Sequence, residues 1–149
     1  MAEPQPILTP TTFLNSSEFK IDGNRPEVTD VTVSAHIETM QVAELKDGQK
    51  EVLISFVMTI DLTDADSGDV VASASAEAQS RTKCSGDDDL SSISDATLAA
   101  FSTCKAAISY LFAVSPVGMI QIPNLPTDDI LATFMENRKP ITGKELKEH

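Results

Sequence analysis

The chain has no tryptophan, one tyrosine and six phenylalanines, so aromatic residues make up 5% of it. A binding surface here must lean on Met, Ile, Leu and a few Phe side chains, which adapt to varied partners. Cysteine is equally scarce. Cys84 and Cys104 form no metal-spaced motif, and nothing suggests a disulfide scaffold. The two histidines, His36 and His149, stand in no Ser-His-Asp, Gly-x-Ser-x-Gly or phosphate-loop pattern. No enzymatic activity is therefore expected. Basic residues are few: 11 Lys+Arg face 23 Asp+Glu, for a net charge of -12. That balance repels nucleic-acid phosphates and anionic membrane surfaces. It suits a basic protein partner or simple solubility. No run approaches the ~18 apolar residues of a membrane span. The opening Met-Ala-Glu-Pro-Gln-Pro lacks the basic and apolar regions of a signal peptide. A cytoplasmic location is expected, with no direct membrane insertion.

What is present is enough for one domain: 149 residues, 41% of them hydrophobic. The proline-rich residues 1–10 read as a loose arm and 140–149 as a charged tail, leaving 11–139 as a single domain. Apolar residues alternate with polar ones over four stretches, the period of a strand with one buried face. The first is Thr12–Ile21, with Phe13, Ser17, Phe19 and Ile21 expected on one side and Leu14, Glu18 and Lys20 on the other. Asp22-Gly-Asn-Arg-Pro26 reads as a turn or crossover. The second strand, Glu27–Ala43, changes parity near Met40 and Val42, which predicts a bulge. An Asp47-Gly48 hairpin signal precedes the third, Glu51–Leu62, whose mixed second row suggests a central strand. The fourth, Val70–Arg81, carries Ala72, Ala74, Ala76 and Ala78 on one side. That alanine row leaves room for close packing by a helix.

The helix itself is predicted after Ser94 or Asp95, either of which can serve as N-cap. Its inward positions read as Thr97 or Leu98, Phe101, Cys104 or Lys105, Ile108, and Leu111 or Phe112. Pro116 and Gly118 stop it. An apolar connector, Gly118-Met-Ile-Gln-Ile-Pro-Asn-Leu-Pro126, leads to a second, short helix that Thr127 can cap, with Asp128 and Asp129 in its first turn. The expected class is α+β: a four-stranded antiparallel sheet, a long helix, an extended connector and a short C-terminal helix.

Reactive chemistry is thin in this sequence. Asp87-Asp-Asp89 and the Asp64–Asp69 turn offer carboxylates, and the latter resembles the start of a calcium loop. It lacks the closing glutamate twelve positions on, where Ser75 stands. Solvated acidic loops are the expected role of both. Cys104 is expected to be a structural thiol. The connector is too apolar for a solvated loop. It either covers the core or lines a groove for extended peptide.

The order of elements, with a few local runs, is similar to a known family. The runs are Arg25-Pro-Glu-Val28, Lys50-Glu-Val-Leu-Ile-Ser-Phe-Val-Met-Thr59, Ala76-Glu-Ala-Gln79, Ile122-Pro-Asn-Leu-Pro126 and Asp129-Ile-Leu-Ala-Thr-Phe-Met135. Over about residues 11–138 the sequence resembles, as a divergent member, the SecB family of protein-export chaperones. The resemblance implies an ATP-independent holdase that binds unfolded polypeptides, including preproteins for export, with no cofactor. It implies a homo-oligomer, a dimer of dimers assembled through the long helix. It also implies a SecA-type translocase motor as partner, contacted by acidic residues matching Glu77, Glu18 and Asp22. Phe13, Met40, Met119, Ile120 and Ile122 are the corresponding candidates for client contact. A chaperone dedicated to one client, such as an antitoxin, is a variant of this reading. The alternative from another class is a structural or adaptor subunit that binds a folded partner.

Overall fold

A computed structural model describes residues 11–21, 30–45, 48–64, 66–84 and 90–137. Four strands come first: β1 Thr11–Ile21, β2 Asp30–Glu44, β3 Lys50–Thr63 and β4 Val70–Cys84. Helices α1, Leu90–Ala113, and α2, Thr127–Asn137, follow. The fold is α+β. The strands form one antiparallel sheet in the order β1-β4-β3-β2, which makes β1 and β2 the edges. Ile21 pairs with Ala72 and Asp30 with Thr63, so the end of β1 and the start of β2 lie at the same end of the sheet. Those two ends stand three strand spacings apart, about 14 Å. Strands β2, β3 and β4 form a simple meander, with Gly48 (φ 74°) and Gly68 (φ 73°) taking the left-handed conformations of its two turns.

One sheet face is the core. Val52, Ile54, Phe56, Met58, Ile60 and Leu62 of β3 point into it, beside Ala72, Ala74, Ala76 and Ala78 of β4. The alanine row lets α1 lie close over β4, from where it also reaches β3 and β1. Helix α1 contributes Ala96, Thr97, Ala100, Phe101, Cys104, Ile108 and Phe112. The sheet faces them with two edge-to-face aromatic pairs, Phe56–Phe101 at 6.1 Å and Phe19–Phe112 at 5.3 Å between centroids.

The predicted parity change in β2 is a bulge between Ile37 and Thr39, with Glu38 as the extra residue. It keeps Met40 and Val42 in line with Ile37 on the helix-covered side. A second bulge, between Leu14 and Ser16 in β1, corrects the expected sidedness there. Leu14, Ser17, Phe19 and Ile21 pair with the alanine row, while Phe13, opposite Gln79, lies on the other face with Glu18 and Lys20.

The helix starts also differ from expectation. α1 begins at Leu90, so Ser94 and Asp95 sit inside its first turns rather than at a cap. Ser94 Oγ instead donates to the Asp128 carboxylate of α2, and Thr97 Oγ1 donates to the Ile93 carbonyl at 2.8 Å. At α2 the Pro126 carbonyl accepts from Asp129 and Ile130, which puts Pro126 at the cap and Thr127 in the first turn. By length and composition alone, helix residues Ser91–Ala113 could span a membrane, contrary to the expectation that no stretch comes near. Their buried stripe packs on the sheet, as befits the central helix of a folded domain.

Candidate binding grooves

The residues singled out in the sequence fall in three places. Phe13 (44% exposed), Glu18 and Glu77 share the sheet face opposite α1, which no helix among the described residues covers. Glu77 stands on central strand β4, half-buried, diagonal to Glu18 across the β1–β4 pairing. Glu18 pairs with Lys20 at 3.3 Å. Asp22 lies outside the described residues. Met40 (7% exposed) and Ile122 (6%) are in the core, which takes both off the accessible surface of the protomer. Met119 is 88% exposed and Ile120 half-buried. The connector thus alternates outward and inward, and its inward residues close the core.

The open sheet face is mixed: Phe13, Leu53 and Val57 lie on it among polar residues, several of which pair with one another. Ser73 Oγ donates to Asp61 Oδ1 at 2.7 Å, Gln79 Nε2 to Ser55 Oγ at 3.4 Å, and Arg81 meets Glu51 at 3.2 Å. The Asp64–Asp69 turn is held by its own side chains. Asp64 Oδ1 accepts from the Asp66 N–H at 2.8 Å and Ser67 Oγ from the Asp69 N–H at 3.3 Å. Among the described residues no cluster of His, Cys, Asp and Glu could hold a metal ion. The Asp87–Asp89 run lies outside them.

Cys104 occupies the helix–sheet interface. Its Sγ sits 3.5 Å from the Ala76 carbonyl and 3.7 Å from that of Phe56. Burial pushes its thiol up to about 12, with the nearby Glu77 charge adding in the same direction against a hydrogen bond from the Ala78 backbone. Lys105 follows it in sequence yet faces outward, where its Nζ donates to Asn124 Oδ1 at 2.7 Å. The thiol is therefore neutral and unreactive at ordinary pH.

Two concave regions stand out: one beside α2 that was not foreseen, and one along α1 bordered by the connector, for which a groove was one of the two expected roles. The first, of about 430 Å³, opens between α2 and edge strand β2. Asp129, Ile130, Thr133, Phe134 and Asn137 line it from α2, and Ala35, His36 and Ile37 from β2. Two signals of the sequence bear on it: Ile130 and Phe134 are four apart on α2, and Ala35 and Ile37 alternate on β2. The second runs along the outer side of α1. Two adjoining hollows of about 530 and 660 Å³ lie between that helix and connector residues 120–125. Lys105, Ser109 and Asn124 border both. These are sizes at which small ligands or short peptide segments bind.

No protein-family model and no curated protein matches the sequence. Among solved structures, the protein is similar to a SecB-like chaperone of Mycobacterium tuberculosis, in complex with a ChAD peptide from the HigA1 antitoxin. The two are 13% identical, with a TM-score of 0.47 over 78% of this chain and 89% of that one.

Proposed function

We propose that this protein is a SecB-like holdase: an ATP-independent, non-enzymatic chaperone that binds extended segments of unfolded polypeptide. The observation that carries the proposal is the open, largely apolar groove between α2 and β2. β2 is a sheet edge, so an extended segment lying along it can add backbone hydrogen bonds as a further strand. Alternate side chains of that segment would then enter the space beside Ile130 and Phe134. Burial of apolar surface and backbone pairing drive such binding, with no cofactor or nucleotide.

In this reading the clients include preproteins for export, or one dedicated partner such as an antitoxin. The protein acts in the cytoplasm as a homo-oligomer assembled through α1. A SecA-type motor would engage the open sheet face around Glu77, Glu18 and Asp22. Exposed Phe13 and Met119, with half-buried Ile120, extend the apolar surface available to clients.

The test is suppression of aggregation of a chemically unfolded model protein, followed by light scattering without ATP, with oligomer mass measured on the same sample. Suppression is expected at stoichiometric amounts. It should be lost in the double variant Ile130→Asp, Phe134→Asp with the fold intact by circular dichroism. No effect of the wild-type protein at molar excess, together with capture of a single folded partner, favours the adaptor reading instead.

A further inference from the structure

The two elements that form the α2–β2 groove are acidic, with no basic residue of their own. β2 holds Asp30, Glu38 and Glu44, α2 holds Asp128, Asp129 and Glu136, and neither has a lysine or an arginine. Asp129 lines the groove. Glu136 stands seven residues on, two turns along the same helix face. The floor is apolar, with Ile130 and Phe134 half-buried and Ile37 in the core. An occupant that suits this groove carries cations on either side of an apolar side chain.

The chain itself supplies one. Asn137, the last residue of α2, lines the groove, and residues 138–149 follow it: Arg-Lys-Pro-Ile-Thr-Gly-Lys-Glu-Leu-Lys-Glu-His. Four of the protein's 11 basic residues fall in these twelve positions, beside two glutamates. The 137 residues before them hold the other seven, against 21 Asp+Glu. Pro140 disfavours helical geometry at Lys139 and has no place inside a helix, so the sequence breaks from the path of α2 there. Ile141 comes four residues after Asn137, a reach of about 13 Å in extended chain. Ile130 lies about 10 Å back along α2 from Asn137. Ile141 therefore has enough chain to return to the apolar floor, with Arg138 and Lys139 before it and Lys144 and Lys147 after it.

We propose that residues 138–149 dock in the α2–β2 groove of their own chain, with Ile141 against Ile130 and Phe134 and the basic residues among the carboxylates of α2 and β2, so that clients bind by displacing them. The proposal rests on the holdase reading and adds regulation to it. The segment is a tethered competitor. At an effective concentration on the order of 1 mM, even weak docking sets a threshold that a client must exceed. Short segments with one apolar side chain fail to displace it, and longer ones with several succeed.

The test uses the full-length protein and a nine-residue peptide of alternating Leu and Ser, capped at both ends and carrying an uncharged fluorophore, read by anisotropy. Reversing the charges in Arg138→Glu, Lys139→Glu, Lys144→Glu, Lys147→Glu should tighten probe binding about fivefold, as for a wild-type groove that is open about a fifth of the time. Ile141→Asp, in a separate variant, should tighten it as well. The charge-reversal gain should shrink in 0.5 M salt, where the Debye length is about 4 Å and the wild-type segment is already released. Zero-length carbodiimide cross-linking of the unaltered protein gives a second readout. Lys139, Lys144 or Lys147 should join to Glu38, Asp129 or Glu136 within one chain, as a mixture of isotope-labelled and unlabelled protein distinguishes. Equal probe affinity in the wild type and both variants, or cross-links only to the open sheet face, overturns the docking and leaves the holdase reading standing. Links only between labelled and unlabelled copies overturn it in favour of a neighbouring copy's groove. Absence of probe binding in the wild type and both variants alike overturns both readings.

Discussion

The two faces of the sheet are built from the same strands, yet they are different materials. Under the helices, β3 and β4 present Val, Ile, Phe, Met, Leu and Ala, nearly all without access to solvent. On the reverse, the same strands present Leu53, Ser55, Val57, Thr59 and Asp61 beside Ser73, Ser75, Glu77 and Gln79, a mostly polar row in which Ser73 bonds Asp61 and Gln79 bonds Ser55 across the strands. One face is held by shape and the other by exchangeable polar contacts. A residue's contribution to stability therefore follows from its parity along the strand more than from its type. The two phenylalanines Phe56 and Phe13 make the case: one is completely buried against Phe101, the other is 44% exposed beside Gln79.

The largest break in that comparison is Phe56→Ala, which removes a buried ring from the centre of the core. A loss of about 3–5 kcal/mol is expected in urea unfolding. Next comes Ala76→Leu. The alanine row sets how closely α1 approaches β4, and added methylenes there should cost about 1–3 kcal/mol. Ser75→Leu, one residue away and facing the other side, should change stability by only about 0.5 kcal/mol or less. A similar cost for the two would contradict the close fit of helix to alanines.

Cys104 gives a third handle through pH. Its thiol lies near 12 in the fold against an ordinary 9.0 in the unfolded protein, because burial disfavours the thiolate. The unfolded protein thus releases a proton first as pH rises. This contribution to stability is complete below about pH 9 and is lost between there and about pH 12. Cys104→Ala should flatten that part of the stability profile, and wild-type Cys104 should resist alkylation at pH 8 until the protein is unfolded. The smallest effect is expected on the open face. Phe13→Ser and Glu18→Gln should each shift stability by no more than about 0.5 kcal/mol. Larger losses at either position would mean that the open face is covered in solution.

Much of the fold could be read from residues alone, because period-2 alternation survives wherever one face is buried. The strands β3 and β4, the central position of β3 and the helix over the alanines all follow from it. Where alternation broke visibly, at Met40 and Val42, the bulge could be placed. Where the break fell among small polar residues, at Asn15, it could not, and Phe13 and Leu14 exchanged faces. Nothing in Thr11–Ser16 distinguishes the two registers locally, since the choice is made by pairing with β4. The start of α1 escaped for a related reason. A serine or aspartate can cap a helix or sit in its first turns, and Ser94 is occupied by Asp128 across the helix pair. The grooves were the least legible part. The groove between α2 and β2 joins elements far apart in sequence, and the hollows along α1 form only once the connector folds back beside that helix. The connector residues stood out by their apolar character, but only the structure divides them into Met119 and Ile120 at the surface and Ile122 in the core.

The position of β1 has a consequence for how the protein is made. It precedes the other three strands in the chain, but its partner in the sheet is β4, about sixty residues later in register (Phe13 opposite Gln79, Ile21 opposite Ala72). During translation the β2–β3–β4 meander can close through short turns, while β1 waits unpaired. Its contacts are the least local of the sheet and carry the largest loop-closure cost. β1 should therefore dock last. A nascent polypeptide stalled before residue 70 should hold Phe13, Leu14 and Phe19 exposed to whatever else is in reach.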